Sequence, residues 1–186
     1  MENSANDTLR KTVVLVGMMG SGKSSIGRML ADRLGVGFKD ADSEIEAAAA
    51  MSIPEIFEAH GEAHFRGGER RVIERLLAEP PHILATGGGA FCHAETRSLI
   101  KQTACSVWLN VEIKELVRRV NKRPGKRPLL NTGDPEEILT GLLGEREADY
   151  RQADITIVSG GDSHKTTVED IIAELSECGI VSAEGA

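Results

Sequence analysis

The chain has 186 residues, of which 40% are hydrophobic and 27% charged, and its formal net charge is -7. This length and apolar content predict one compact domain over residues 1–186, with its core at 11–178. The acidic balance argues against nucleic acid as a partner, because a nucleic-acid-binding surface has to neutralise phosphates. No stretch approaches the roughly 20 apolar residues of a membrane span, so we expect a soluble, cytoplasmic protein.

Short apolar runs alternate along the chain with segments of helical periodicity. The predicted strands are 13–16, 36–40, 82–86, 104–109 and 154–158. Helices are predicted at 25–34, 94–101, 112–122, 135–150 and 167–178. Two more begin at capping-box patterns: one at 43–46 that continues through the alanines, and one at 52–55 that continues to residue 77. Glycines at 61, 67 and 68 are expected to interrupt the longest helix. This alternation predicts a three-layer α/β fold around a parallel sheet.

The most specific motif is a phosphate-binding loop after the first strand. Residues Gly17 to Ser24 fit G-x-x-x-x-G-K-[ST] at every fixed position, and they stand between an apolar strand and a helix. Backbone N–H groups of such a loop point at a phosphate chain, while Lys23 reaches the outer phosphates and Ser24 holds Mg²⁺. The motif predicts that a nucleoside triphosphate is bound by Gly20, Ser21, Gly22, Lys23, Ser24 and Ser25.

Polar groups and glycines follow the next two strands, at the edge where parallel strands form a binding crevice. Asp40 and Asp42 end the second strand, so one carboxylate can support Mg²⁺ while the other accepts a hydroxyl proton. The alternative is that Asp42 or Ser43 simply caps the next helix. Gly87 to Gly89 end the third strand and leave room for a small substrate to reach backbone N–H groups.

Several arginines have the positions needed to hold anionic reactants. Arg66 stands three residues before Glu69 on a predicted helix, and Arg151 ends the helix before the fifth strand. Either arginine alone is also compatible with a solvated surface charge. A basic segment at 121–133, broken by Pro and Gly, is interpreted as a lid that closes over phosphates, with an exposed connector as the alternative.

Together these motifs resemble the shikimate kinase family, from residue 13 to about 158. The shared elements, in order, are the phosphate loop Gly17 to Ser24, Asp40 with Asp42, Phe65-Arg66, Gly87 to Gly89, Arg127-Pro128-Leu129 and Tyr150-Arg151. The resemblance implies a nucleoside-monophosphate-kinase-like fold with five parallel strands in the order 2-3-1-4-5. It also implies Mg²⁺-dependent transfer of the γ-phosphate of ATP to the 3-hydroxyl of shikimate, in chorismate and aromatic amino acid biosynthesis.

The resemblance assigns roles to individual residues. Catalysis would fall to Asp42 as base, with Lys23 and the lid residue Arg127 stabilising charge on the transferring group, and the metal would lie by Ser24 and Asp40. The adenine-contacting arginine is either Arg119 or Arg123. The substrate-binding residues implied by the resemblance are Asp42, Phe57, Arg66, Gly87, Gly88, Gly89 and Arg151, with the substrate-binding region at about 41–70.

Two other functions fit parts of the pattern. Another P-loop sugar-acid kinase, such as a gluconate kinase, shares the recognition of an anionic polyol, although Arg66, the triple glycine and Arg151 together favour shikimate. A nucleotide-dependent switch or catalytically silent binding module would need neither paired carboxylates nor an arginine clamp. The fold and size are compatible with a monomer that binds only shikimate and ATP.

Overall fold

The structure is a computed structural model that describes residues 7–122, 133–159 and 163–183. Its strands are β1 Asp7–Leu9, β2 Val13–Val16, β3 Phe38–Asp40, β4 Ile83–Ala85, β5 Cys105–Val111, β6 Ile155–Ser159 and β7 Val181–Ala183. Its helices are α1 Lys23–Leu34, α2 Ala41–Ala49, α3 Ile53–Leu77, α4 Ala94–Thr103, α5 Ile113–Asn121, α6 Pro135–Tyr150 and α7 His164–Glu177, with a short 3₁₀ turn at Ala90–Cys92.

Five parallel strands form the central sheet in the order β3-β4-β2-β5-β6. Counted from β2, this is the predicted order 2-3-1-4-5, which the structure confirms. Because all five strands run the same way, their carboxyl ends meet at one edge of the sheet. The phosphate loop, the paired aspartates and the triple glycine all begin at that edge.

The sheet is buried on both faces, as its apolar strands require. Successive residues of β2 point to opposite faces, so Val14 and Val16 enter one core cluster while Val13 and Leu15 enter the other. Helices α2 to α6 cover the first face, and α1 and α7 cover the second. Among the described helices, none is long and apolar enough to cross a membrane.

Two predictions about the helices were wrong, one about where α2 begins and one about where α3 is interrupted. Helix α2 begins at Ala41 rather than after Ser43, because the Asp40 side chain accepts a hydrogen bond from the backbone N–H of Asp42 and caps the helix. In α3, Gly67 and Gly68 stay helical, and only Gly61 breaks the helix, with φ 77° and ψ 175°. The capping box between Ser52 and Glu55 is confirmed.

The chain ends form a small sheet that the sequence analysis did not predict. Strands β1 and β7 pair antiparallel, with Leu9 opposite Val181, and both of these side chains are buried in the second core cluster. The segments Asp7–Leu9 and Val181–Ala183 lie in the polar ends of the chain and carry too little apolar alternation to be recognised as strands. The pairing joins the two ends of the described chain to the α1 and α7 side of the sheet.

Candidate active site

The phosphate loop is held in shape by its own backbone. Gly22 has φ 97°, a conformation that L side chains rarely adopt, and this residue caps the amino end of α1. The ammonium of Lys23 donates to the carbonyl oxygens of Gly17 and Met18, both at 2.9 Å. Ser21 is fully buried, and its N–H donates to the Met18 carbonyl, so Ser21 braces the loop from inside.

A cleft of about 600 Å³ opens above the loop at the carboxyl edge of the sheet. It brings together the loop, the paired aspartates, the glycine turn, one side of α5 and the start of α7. Its lining residues are Met19, Gly20, Gly22, Lys23, Ser24, Ser25, Asp40, Asp42, Thr86, Gly87, Gly88, Glu115, Arg118, Arg119, Lys122, Ser163 and His164. Of the predicted triphosphate residues that the structure describes, all but the buried Ser21 line this cleft.

Ser24 and Asp40 meet directly, as a shared metal site requires. The Ser24 hydroxyl donates to Asp40 Oδ2 at 2.7 Å, while Asp40 Oδ1 accepts the N–H of Asp42. Mg²⁺ prefers hard oxygen ligands and commonly takes only one or two from the protein, the rest being water and phosphate. This pair fits that demand. Thr86 takes no part, since its hydroxyl donates to the Leu15 carbonyl within the sheet edge.

Asp42 lies where an unusual carboxyl is expected. Burial, and then the neighbouring Asp40 charge, raise the pKa of Asp42, while the Lys23 ammonium acts in the opposite direction. A Cβ atom at Gly87 would stand 2.9 Å from Asp42 Oδ1, so a side chain at this position would push the carboxylate out of its place. A partly buried carboxyl with a raised pKa beside a phosphate loop is suited to accept a proton from a substrate hydroxyl.

Arg66 and Glu69 form an ion pair behind the glycine turn. Arg66 Nη1 donates to Glu69 Oε2 at 2.7 Å, and the Glu69 side chain is 2% exposed. Burial raises the pKa of Glu69, and the hydrogen bond from Arg66 opposes that rise. A Cβ atom at Gly89 would stand 2.8 Å from Arg66 Nη2, so the guanidinium is pressed against the turn. Glu69 thereby fixes the direction in which Arg66 presents its remaining N–H donors.

A second arginine at this turn was missed by the sequence analysis. Arg146 Nη1 lies 3.6 Å from the position that a Cβ atom would take on Gly88, the residue before the one that Arg66 approaches. Arg146 lies one helical turn before Tyr150, which is fully buried, so both face the protein interior. That spacing was the available signal, but the flanking Glu145 and Glu147 gave the segment the pattern of a charged surface.

Arg151, which the sequence analysis assigned to the substrate, is placed differently. Its side chain is 68% exposed and pairs with Glu147 of the same helix, at 2.6 Å. Among the described residues, this is the one charged partner of Arg151. The geometry therefore favours Arg146 over Arg151 as the arginine that joins Arg66 at the glycine turn Gly87 to Gly89. We call this group of residues the anion pocket.

Phe57 lies on the first segment of α3, before the kink at Gly61. Its ring is half-buried and packs on the buried ring of Phe65, with a centroid separation of 4.5 Å. Arg66 in turn lies over the Phe65 ring, with Cζ 5.1 Å from the centroid. The aromatic pair thus supports the segment that carries Arg66.

At the other end of the cleft, Arg119 is held beside the phosphate loop. Its Nη1 donates to the Ser21 carbonyl at 3.1 Å, and its Nε to Glu115 Oε1 at 2.6 Å. Hydrogen bonds from Arg118 first, and also from Arg119, lower the pKa of Glu115 to about 2, so this carboxylate stays ionised and keeps both guanidinium groups in place. Arg119, one of the two candidate adenine contacts, lines the cleft.

The predicted lid arginines, Arg123 and Arg127, lie outside the described residues, as does most of the 121–133 segment. The start of α7 was also missed, although His164 and its cap Ser163 line the cleft next to Arg119 and Gly22. Burial and the Arg119 charge lower the pKa of His164. The loop before it had offered no recognisable motif.

The strand order and the phosphate loop make this a P-loop protein, and the two arginines and the Asp42 carboxylate at the glycine turn suit a kinase for a small acidic acceptor. A sequence profile described as shikimate kinase matches residues 19–176. The shikimate kinase of Rhodopseudomonas palustris is 55% identical over 167 residues, which is 90% of this chain and 82% of that protein. The chain therefore belongs to the shikimate kinase family.

Solved structures agree with this assignment. Shikimate kinase from Acinetobacter baumannii, determined in complex with shikimate, has a TM-score of 0.85 and 37% identity, covering 90% of this chain and 94% of that one. A gluconokinase from Sinorhizobium meliloti has a TM-score of 0.59 at 18% identity, over 91% of this chain and 94% of its own. The second likeness extends to the fold alone.

Proposed function

We propose that the protein is a shikimate kinase that transfers the γ-phosphate of ATP to the 3-hydroxyl of shikimate, giving shikimate 3-phosphate and ADP. The observation that carries this proposal is the glycine turn, where Asp42, Arg66 and Arg146 converge from three helices on one small space beside the phosphate loop. Family membership and the shikimate complex of the A. baumannii relative support the same substrate.

Acid recognition falls to the two arginines. Arg66 and Arg146 approach neighbouring glycines of the turn, and a carboxylate between them would accept charge-assisted hydrogen bonds from both. The N–H groups of Gly87, Gly88 and Gly89 donate to no protein oxygen within the described parts of the chain, so they remain free for substrate oxygens.

Asp42 then acts on the hydroxyl that attacks. As the oxygen of the substrate forms its bond to the γ-phosphorus, the proton of the hydroxyl passes to the Asp42 carboxylate, and the bond from phosphorus to the bridging oxygen of ADP breaks. Burial raises the pKa of Asp42, which makes this carboxylate a better proton acceptor than a solvated one. Most of the catalysis comes from holding the two reactants in line.

The phosphate end neutralises charge during transfer. Lys23 would turn from the Gly17 and Met18 carbonyls to the outer phosphates. Arg119 would hold the nucleotide, and Arg127 would act from the lid. Ser24 and Asp40 would hold Mg²⁺, which supplies positive charge to the phosphate oxygens when bound. A cytoplasmic location, a monomeric state and the lack of a nucleic-acid partner stay predictions.

The test is ADP release from MgATP by the purified protein with shikimate, with gluconate and with no acceptor, with the product identified by phosphorus NMR. We expect rapid release with shikimate alone and a new resonance from shikimate 3-phosphate. Release stimulated by gluconate instead would favour the sugar-acid kinase. Slow release that no acid stimulates, from folded protein that binds ATP, would favour a nucleotide switch.

A further inference from the structure

Tyr150 has a position in the structure that the reaction described above leaves unused. It is the only tyrosine of the chain, it ends α6, and its side chain is fully buried. The ring stacks on Trp108 of β5, with centroids 5.8 Å apart. The hydroxyl donates a short hydrogen bond to the carbonyl oxygen of Gly88, and Met18 Sδ lies 3.9 Å from it.

The Gly88 carbonyl is an informative acceptor, because it belongs to the turn that is proposed to meet the substrate. In a trans peptide the carbonyl and the following N–H point in opposite directions, and no described peptide bond is cis. The tyrosine hydroxyl, by holding the Gly88 oxygen, therefore fixes the direction of the Gly89 N–H. That N–H is one of the donors left free for substrate oxygens.

The same helix carries Arg146 one turn earlier, with its guanidinium beside Gly88. The bond from Tyr150 therefore sets the spacing between two parts of the anion pocket, the arginine and the backbone donors. A second link on the α4 side strengthens the junction. Arg97 Nη1 donates to the Phe91 carbonyl at 2.8 Å and lies 3.1 Å from Asp149 Oδ1, so the residues that follow the glycine turn are tied to α6 as well.

We propose that Tyr150 is a positioning residue for the acceptor. Its hydrogen bond to the Gly88 carbonyl holds the glycine turn in a fixed position relative to Arg146. The inference rests on the proposed function, since it assigns the turn to shikimate. Burial raises the pKa of Tyr150, so the hydroxyl stays protonated and remains a donor across the neutral range.

The experiment compares Tyr150→Phe with the wild type in steady-state assays at saturating co-substrate. Phenylalanine keeps the ring on Trp108 and removes only the hydroxyl. We expect the KM for shikimate to rise about tenfold, as for the loss of one hydrogen bond to a partly buried carbonyl. The KM for MgATP should stay within about twofold, because the hydroxyl meets the phosphate loop at the Met18 thioether, which is a weak acceptor.

The matched control is Ser106→Ala. This hydroxyl is also fully buried and hydrogen-bonded, to Asp154 Oδ2 at 2.6 Å, but it lies near the opposite end of the sheet. We expect a lower Tm in this variant with both KM values unchanged.

An equal rise of the two KM values in Tyr150→Phe, or an unchanged KM for shikimate, would overturn the positioning role while leaving shikimate activity of the wild type in place. A wild type without shikimate activity would overturn the proposed function and this inference with it.

A spectroscopic test needs no substitution that could prevent folding. Because the chain has a single tyrosine, growth on 3-fluorotyrosine places one fluorine label at residue 150. We expect the single fluorine resonance to move when shikimate saturates the protein and to stay in place with MgATP alone. A resonance that is identical with and without saturating shikimate would contradict the link between this hydroxyl and the acceptor pocket.

Discussion

The two ends of the cleft are built in different ways. The phosphate end is one continuous stretch, Gly17 to Ser24, whose shape is held mainly by bonds within the loop itself. The acceptor end is assembled from separate segments that bring Asp42, Arg66, the glycine turn and Arg146 together. Local geometry thus determines the phosphate end, and the acceptor end depends on how α3 and α6 pack on the sheet.

This difference predicts that the two ends can be damaged separately. The two ends meet at the glycine turn, since a Cβ atom on Gly88 would stand 3.4 Å from the Met19 backbone nitrogen and 3.6 Å from Arg146 Nη1. Substitutions on the acceptor side should therefore change acceptor affinity or turnover and leave MgATP binding intact. An acceptor-side substitution that weakens MgATP binding equally would remove the distinction.

The largest expected effect is that of Asp42→Asn. An amide cannot take the hydroxyl proton, so we expect turnover to fall by roughly 10²–10⁴-fold, the usual contribution of a general base. Titration calorimetry with a non-hydrolysable ATP analogue and Mg²⁺ should give a Kd close to that of the wild type. Wild-type turnover in this variant would show that Asp42 is not the base.

The second-largest effect is expected for Arg66→Ala. It removes one cation from the acceptor and leaves Glu69 as a buried carboxylate without its partner, so shikimate binding should weaken by roughly 2–5 kcal/mol. The matched control is Arg70→Ala, one turn later on α3, where the arginine is 42% exposed and pairs with Glu74 and Glu95 at the surface. Equal shikimate affinities for the two variants would place the acceptor elsewhere.

A smaller effect concerns stability and pH. Burial raises the pKa of Asp42 above its ordinary 3.8, so the folded protein holds this proton more tightly than the unfolded chain does. Ionisation of Asp42 then lowers the free energy of unfolding as pH rises from 3.8 through the folded-state pKa, and above that pKa the full cost is present. Asparagine carries no such cost.

We therefore expect Asp42→Asn to have a higher Tm than the wild type at neutral pH, with a difference that shrinks as the pH falls to about 4. Thermal unfolding monitored by circular dichroism over this pH range gives the comparison. Asp32→Asn, at an exposed position on α1, is the control and should change Tm little. A Tm for Asp42→Asn below that of the wild type at neutral pH would contradict the pKa assignment.

What could be predicted from the sequence differs in the same way between the phosphate end and the acceptor end of the cleft. The phosphate loop and the pairing of Arg66 with Glu69 were predicted, because each depends on a contiguous motif or on neighbours within one helix. The sheet order was predicted from the family resemblance. Arg146 was missed because its role depends on how α6 packs. The terminal pairing of β1 with β7 was missed for a related reason, since the two segments are short and more than 170 residues apart.

The measurement that tests this account most directly is a calorimetric titration of shikimate into two variants of α6, Arg146→Ala and Arg151→Ala. Both remove an arginine from the same helix, but only Arg146 lies at the glycine turn, while Arg151 is exposed and pairs with Glu147. We predict that the first variant loses affinity at least tenfold, as a charge pair with the acceptor requires, and that the second keeps the wild-type Kd. Loss of affinity in Arg151→Ala with none in Arg146→Ala would contradict the assembly of the acceptor end described above.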